Sequence, residues 1–241
     1  MRLRSYGLAL GFALVVTSAA SAAPIIYSGV DAGANSNNPR PNSNAAATAY
    51  DLAAAGLGPV TIIDFESAPL GAFTNLTIAP GVSMNGTDFN SQPQTVRNTA
   101  VGSPDGLFGY NTTSGGSKFV SLFGGDIFFN FAPGVQGFGG YLSGVQLNGE
   151  TVTFFDGTQQ SFVIPNPGSG VQFWGFTDAG QNIASVRLNV QIGGTGDIIG
   201  VDDVRVVRSG NNAAVPEPAS LLLLGSGLVT GVRRWRKRQN G

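Results

Sequence analysis

From Pro59 onward the chain runs in short apolar, β-branched and aromatic stretches, broken every few residues by Gly, Asn, Asp or Pro. The clearest stretches are Val60–Phe65, Lys118–Phe123, Ile127–Phe131, Gly137–Leu142, Thr151–Phe155, Ser161–Ile164, Val171–Phe176, Ile183–Val190 and Ile199–Val207. Regularly spaced short strands with turn signals predict an all-β sandwich or barrel. The preceding pattern differs. Residues 24–42 are rich in Asn, Gly, Ser and Pro and read as a leader loop. Ser43 to Ala55 is Ala-rich and predicts one short helix, capped by Asn42 or Ser43 and ended by Gly56. A leader with a short helix over 23–58 thus precedes a β-sandwich domain over 59–208 and a linker over 209–214.

One hairpin carries conflicting signals. Asp156-Gly157 between two apolar runs suggests a two-residue turn, which would pair Val152 with Ser161 and Phe154 with Gln159. A one-residue offset places Val152 opposite Phe162, which suits burial better, so a bulge is expected here.

The last predicted strand, Ile198 to Val207, contains Asp202-Asp203. On a regular strand Asp202 shares a face with Ile198, Val204 and Val206. Asp203 then lies with Ile199, Val201, Arg205 and Val207, which makes Arg205 its same-face charge partner. Asp202 has no such partner nearby in sequence. A carboxylate at the edge of an apolar face needs a donor or a cation. Backbone N–H groups of a loop at the strand start would also serve.

The two ends have a different character. Arg2 and Arg4 precede an apolar run, Gly7 to Val16, and then Ala20-Ser21-Ala22. This order reads as a signal peptide over residues 1–22. At the other end Pro216 and Pro218 set the start of a helix. Ala219 to Val232 is almost uncharged, and Arg233, Arg234, Arg236, Lys237 and Arg238 follow. The run has no polar face, which argues against a helix in the cytosol. Its 14 residues cover about 21 Å as a helix. That is short of the roughly 30 Å of a bilayer core, so Trp235 and the arginine stems would extend it. The basic cluster would stay on the cytoplasmic side and leave the preceding domain outside.

Composition narrows the chemistry. Setting aside the terminal segments leaves six basic against 13 acidic residues, a net charge of −7 where the whole chain carries −1. An acidic domain has no electrostatic footprint for nucleic acid, but it has carboxylates for a hard cation. There is no cysteine and no histidine. Disulfides, His-based triads and the usual zinc sites are therefore excluded. Paired carboxylates, Lys118, tyrosines and hydroxyls remain. The 36 glycines suit many tight connections. Asn75-Leu-Thr77, Asn85-Gly-Thr87 and Asn111-Thr-Thr113 match the N-glycosylation triplet by chance.

Val215-Pro216-Glu217-Pro218, the apolar run and the Arg-rich end resemble the PEP-CTERM sorting signal of Gram-negative bacteria, over residues 215–238. The resemblance implies export, transient retention in the inner membrane and recognition by an exosortase near Pro-Glu-Pro. It also implies a place at the cell surface or in the extracellular matrix, with exopolysaccharide and biofilm.

Ile63-Asp64-Phe65-Glu66 closes the first strong strand. An early Phe-Glu and a late Asp-Asp-Val resemble the jelly-roll modules related to carbohydrate-binding and galactose-binding-like domains. In that family the first and last strands meet, and matching acidic residues hold a structural Ca²⁺. The resemblance carries over to Glu66 and Asp202, with Asp203 beside them. Candidate sugar contacts are Tyr110, with Phe108 in the same Gly-rich loop, and Trp174, which shares a face with Gln172 and Phe176. Phe128, Phe129, Phe131 and Phe138 read as core. Three readings follow: a non-catalytic surface or matrix protein, a carbohydrate-binding module with structural calcium, and a carboxylate-based glycoside hydrolase.

Overall fold

The structure is a computed structural model that describes residues 23–102, 107–192 and 195–208. The signal segment, the linker and the C-terminal signal with its apolar helix lie outside the described residues. In chain order the elements are β1 (Ile25–Ala32), α1 (Pro41–Ala55), β2 (Val60–Ile63), β3 (Gly71–Phe73), β4 (Asn75–Ala79), β5 (Val82–Thr87), β6 (Gln94–Arg97), β7 (Phe119–Phe123), β8 (Asp126–Val135), β9 (Gly137–Ser143), β10 (Thr151–Phe155), β11 (Gln160–Val163), β12 (Gly170–Thr177), β13 (Ile183–Asn189), β14 (Gln191–Ile192), β15 (Thr195–Gly196) and β16 (Ile198–Val207).

Two antiparallel sheets face each other. The first runs β1-β12-β9-β16-β7-β6-β3, and the second runs β11-β10-β13-β8-β5-β4. From β7 onward the long strands alternate between sheets. The order β12-β9-β16-β7 in one sheet meets β11-β10-β13-β8 in the other, and β10–β11 is the one hairpin within a sheet along this path. That is the eight-stranded path of a jelly roll. The inner faces interdigitate through Phe129, Phe138, Phe154, Trp174 and Phe176, all buried in one cluster. The Phe154 and Phe176 rings stack with centroids 4.2 Å apart. Each such side chain contributes about 1.5–3 kcal/mol by leaving water.

The leader corrects the expectation of a loop. Residues Ile25 to Ala32 pair in unbroken register with β12, from Ile25 opposite Thr177 to Ala32 opposite Gly170. The sandwich therefore starts well before residue 59. The strand was hidden because its burial is one-sided and its sequence contains Ser28-Gly29. Gly29 has a packing reason: a Cβ there would lie 2.2 Å from the Asn42 carbonyl oxygen. Its absence lets α1 settle on the outer face of the first sheet. Tyr50, Tyr141 and Phe173 form a second core cluster under the helix.

The helix begins at Pro41, with proline in its first turn. Asn42 and Ser43 lie inside it and do not cap it. The cap comes from the preceding strand, where the Asp31 carboxylate accepts the N–H groups of Asn42 (3.1 Å) and Ser43 (2.8 Å). Burial alone would raise the Asp31 carboxyl, but the Ser43 hydroxyl, which also donates to it, and these N–H groups hold it below its usual range.

The β10–β11 hairpin takes the offset register, with Val152 opposite Phe162 and Phe154 opposite Gln160. Burial decides against the two-residue turn. The extra residue is absorbed where Gln159 adopts a positive φ of 55°, while the Asp156 carboxylate accepts the Thr158 N–H at 2.8 Å.

Candidate functional site

In β16 the register shifts between Asp202 and Arg205, and Asp203 has a positive φ of 46°. A bulge changes the parity of the strand. Ile199, Val201, Val204 and Val206 all join the inner core, whereas Val207 joins the cluster on the outside. Asp202 therefore does not share a face with Val204 and Val206, which corrects the regular-strand expectation. Nor does Arg205 pair with the Asp203 carboxylate. Its Nη1 donates to the Asp203 carbonyl at 2.7 Å, and its Nε pairs with Asp51 of α1 at 2.9 Å.

The bulge marks a change of neighbours. On one side of β16, β7 pairs as far as Val201, and β2 takes over from Val204. Asp202 stands at this junction with 0 % exposure. Its Oδ2 accepts the N–H groups of Thr112 at 2.6 Å and Thr113 at 3.1 Å. Thr112 and Thr113 hydroxyls also reach Asp203, at 3.2 and 2.8 Å. Burial, then the neighbouring Asp203 charge, push the Asp202 carboxyl up to about 7 despite these donors.

Glu66 arrives from the end of β2. Phe65 takes a positive φ of 59°, unusual for a bulky residue. This conformation buries the ring in the core, and Glu66 Oε1 accepts the N–H groups of Ser117 and Lys118, both at 2.7 Å. Lys118 Nζ donates to the carbonyls of Glu66 and Ala68, each at 2.8 Å.

β2 and β16, the first and last strands of the domain expected over 59–208, pair with each other and bring Glu66 and Asp202 to one group. Asn111 Nδ2 lies 3.3 Å from Glu66 Oε1, 3.1 Å from Asp202 Oδ2 and 2.9 Å from the Lys118 carbonyl. An amide has two N–H bonds for these three acceptors. Its oxygen and nitrogen exchange places by a simple turn of the side chain. Turned over, the amide would add its oxygen to carboxylate and carbonyl oxygens of the kind a hard cation such as Ca²⁺ takes, but the backbone N–H groups of Ser117, Lys118, Thr112 and Thr113 already bond those carboxylates. Among the described residues no three acidic side chains form a ready cage, so backbone and amide oxygens would have to contribute. Asn111 was the residue missed in the sequence. Its proximity to both carboxylates depends on how the loop after Phe108 folds, which no spacing reveals.

The expected sugar platforms are corrected. Tyr110 is 1 % exposed, and its hydroxyl donates to the Ala34 carbonyl at 2.7 Å. Trp174 is 3 % exposed and packs near Phe162 and Phe176 between the sheets. Neither ring offers a free face. Phe128, expected in the core, is instead half-buried on the outer side of the second sheet, as is Phe155. Their centroids are 6.3 Å apart and their planes 34° from parallel. Arg187 lies 5.9 Å from the Phe128 centroid and grips Asp126 through two bonds of 2.8 Å. Asn189 donates to the same carboxylate at 2.6 Å, and Asn130 donates to Asn85 at 2.6 Å. Next to them is a depression of about 230 Å³ lined by Thr77, Gly81, Ser83, Asn130 and Ala132. This face joins aromatic rings to planar polar groups, the combination that stacks on and hydrogen-bonds to sugars.

Comparison with known proteins bears mainly on the C-terminus. Residues 214–238 match the PEP-CTERM protein-sorting motif. The chain carries the sorting signal of an exported protein. The motif implies processing by an exosortase in a Gram-negative envelope. No curated protein matches the chain. Among solved structures, the catalytic domain of GH87 alpha-1,3-glucanase in complex with nigerose is similar at 16 % identity and a TM-score of 0.33, over 67 % of this chain and 30 % of that one. Another is the enzymatically active domain of tailspike protein 4 of bacteriophage CBA120, at 14 % identity and a TM-score of 0.29, over 56 % of this chain and 19 % of that one. The chain spans under a third of either structure, and likeness at this level says nothing about activity.

Proposed function

We propose that the chain is an exported, non-catalytic cell-surface or extracellular-matrix protein that associates with exopolysaccharide in a biofilm. The sorting motif at residues 214–238 carries this reading. In it, the apolar run holds the chain transiently in the inner membrane, with Arg233, Arg234, Arg236, Lys237 and Arg238 as the cytoplasmic stop. An exosortase acts near Val215, Pro216, Glu217 and Pro218. Among the described residues no helix is long and apolar enough to cross a membrane. Deleting Pro216 to Arg238 is expected to change fractionation and mature mass; if both stay the same, the sorting role is wrong.

The outer face of the second sheet is the surface we assign to polysaccharide. Phe128 and Phe155 would stack on sugar rings, and Arg187, Asn130 and Asn85 would bond hydroxyls. Asp126 is already held by Arg187 and Asn189. That favours binding over hydrolysis, which needs two carboxylates about 5–10 Å apart across a cleft. A glycan array with the wild-type chain and the Phe128→Ala/Phe155→Ala variant tests it. Binding by wild type and loss in the variant support the assignment, and equal signals from both overturn it.

Glu66, Asp202 and the Lys118 carbonyl, with Asn111 turned over and Asp203 alongside, would hold a structural Ca²⁺ in this reading. Such an ion would tie the first and last strands of the domain core in a chain without disulfides, stabilising the fold by mass action. Wild type should melt higher in calcium than in chelator. Glu66→Gln and Asp202→Asn should narrow that gap.

A further inference from the structure

The second sheet differs in charge from the domain that carries it. The chain between its terminal segments holds six basic against 13 acidic residues. Yet the six strands of this sheet, β11-β10-β13-β8-β5-β4, contain two charged residues, Asp126 and Arg187. These two grip each other through two bonds of 2.8 Å. The strands are therefore neutral within a domain of net charge −7.

Residues directly opposite each other in an antiparallel sheet share a face. The register sets Asn85, Phe128, Arg187, Thr153 and Ser161 side by side across five strands. At about 4.8 Å per strand this row is about 19 Å long, room for several sugar rings. The neighbouring row brings up Asn130 and Phe155, both paired with Ser185. Amides and hydroxyls both donate and accept hydrogen bonds, so they match sugar hydroxyls, which do the same. A carboxylate sugar only accepts, and it is held well by a guanidinium or ammonium group.

The other five basic side chains of the domain stand off this sheet, and each has a partner. Arg40 donates to the Thr112 carbonyl at 2.8 Å, and Arg205 pairs with Asp51 at 2.9 Å. Lys118 Nζ reaches the Glu66 and Ala68 carbonyls, each at 2.8 Å. Arg97, on the first sheet, lies 5.8 Å from the Phe123 ring centroid. Arg208, past the end of β16, donates to the Pro80 carbonyl at 2.8 Å. The surplus of acids repels a polyanion at longer range. We infer that the outer face of the second sheet takes a neutral polysaccharide, and that the Arg187–Asp126 pair withholds from acidic chains the one cation on that face. This rests on the sugar-binding reading of the face given above.

Retention of the detergent-solubilised full chain on immobilised polysaccharides tests it, at low salt, where charge effects are strongest, and in chelator and in calcium. The neutral set is a β-glucan, a galactan and a galactomannan; the acidic set is polygalacturonate and alginate. Wild type is expected to be held by a neutral polysaccharide, and about tenfold or more weakly by the acidic ones. Phe128→Ala/Phe155→Ala should lose the neutral retention. Asp126→Asn, which releases Arg187, should gain about threefold on polygalacturonate, the scale of one exposed charge pair. Equal wild-type retention on acidic and neutral chains, lost in Phe128→Ala/Phe155→Ala, overturns the inference and leaves the sugar-binding face standing. So does acidic retention as strong as neutral that appears only in calcium, which identifies a bridging cation. An Asp126→Asn protein with no gain overturns the role given to the pair. Wild-type retention on neither set overturns the sugar-binding face itself, and the inference with it.

Discussion

Glu66–Asp202 and Glu150–Asp197 are both carboxylate pairs assembled by tertiary contact, and they are provisioned in opposite ways. At the first, Thr112, Thr113, Ser117 and Lys118 aim backbone N–H groups at the acids, and Asn111 bridges them. At the second, backbone donors reach Asp197 but not Glu150. The acids respond accordingly. Asp202, with its donors, is raised to about 7, and Glu150, without them, to about 9. Burial is the largest cause in both, and a neighbouring carboxylate, Asp203 or Asp197, adds to it. Burial sets the direction for both carboxylates, and the supply of hydrogen-bond donors moderates how far each is raised.

The sharpest way to break this contrast is to remove the acceptor where donors are plentiful. Asp202→Ala strands the N–H groups of Thr112 and Thr113 at the β16 bulge. Each buried donor left alone costs about 1–3 kcal/mol, so a loss of about 3 kcal/mol is expected in chelator, read from denaturant midpoints. A loss below about 1 kcal/mol would mean that the loop reorganises and the junction is not a rigid unit.

Next in size is the pH response of the chelated wild type. An unfolded glutamate titrates near 4.5, while folded Glu150 holds its proton to about 9. Between those values the folded state binds a proton that the unfolded state has released, so stability falls as pH rises. Asp202 adds a slope of the same sign from 3.8 to about 7. Glu150→Gln is therefore expected to flatten melting temperature between about pH 7 and 9 while leaving the lower range sloped. A variant that keeps the upper slope would assign it elsewhere.

The smallest effect sharpens the junction itself. A Cβ at Gly116 would lie 2.5 Å from Glu66 Oε1. Gly116→Ala should displace that carboxylate, at a cost of about 1 kcal/mol. It should also narrow the calcium-dependent gap in melting temperature without touching Glu150. An unchanged gap would show that Glu66 is not part of a cation site.

The alternation of apolar and polar residues largely determined the sandwich, because burial of one strand face imposes period two whatever the partner strand is. The same physics chose the β10–β11 register over the Asp156-Gly157 turn signal. The three-part tail was legible because targeting segments are read locally, as charge, length and order. What the sequence left open was which residues meet. β1 escaped notice because part of its burial comes from α1, which packs against Gly29 and Tyr27. The outward turn of Phe128 and the burial of Tyr110 follow from strand parity and loop path, not from residue type. The bulge at Asp202-Asp203 reversed the expected faces because one left-handed residue changes parity for the rest of the strand. Glu66, Asn111 and Asp202 come together, and Glu150 meets Asp197, only once the crossovers close. Carboxylates are placed by long-range packing, and their charge states follow from the burial, the neighbouring charges and the donors that packing brings.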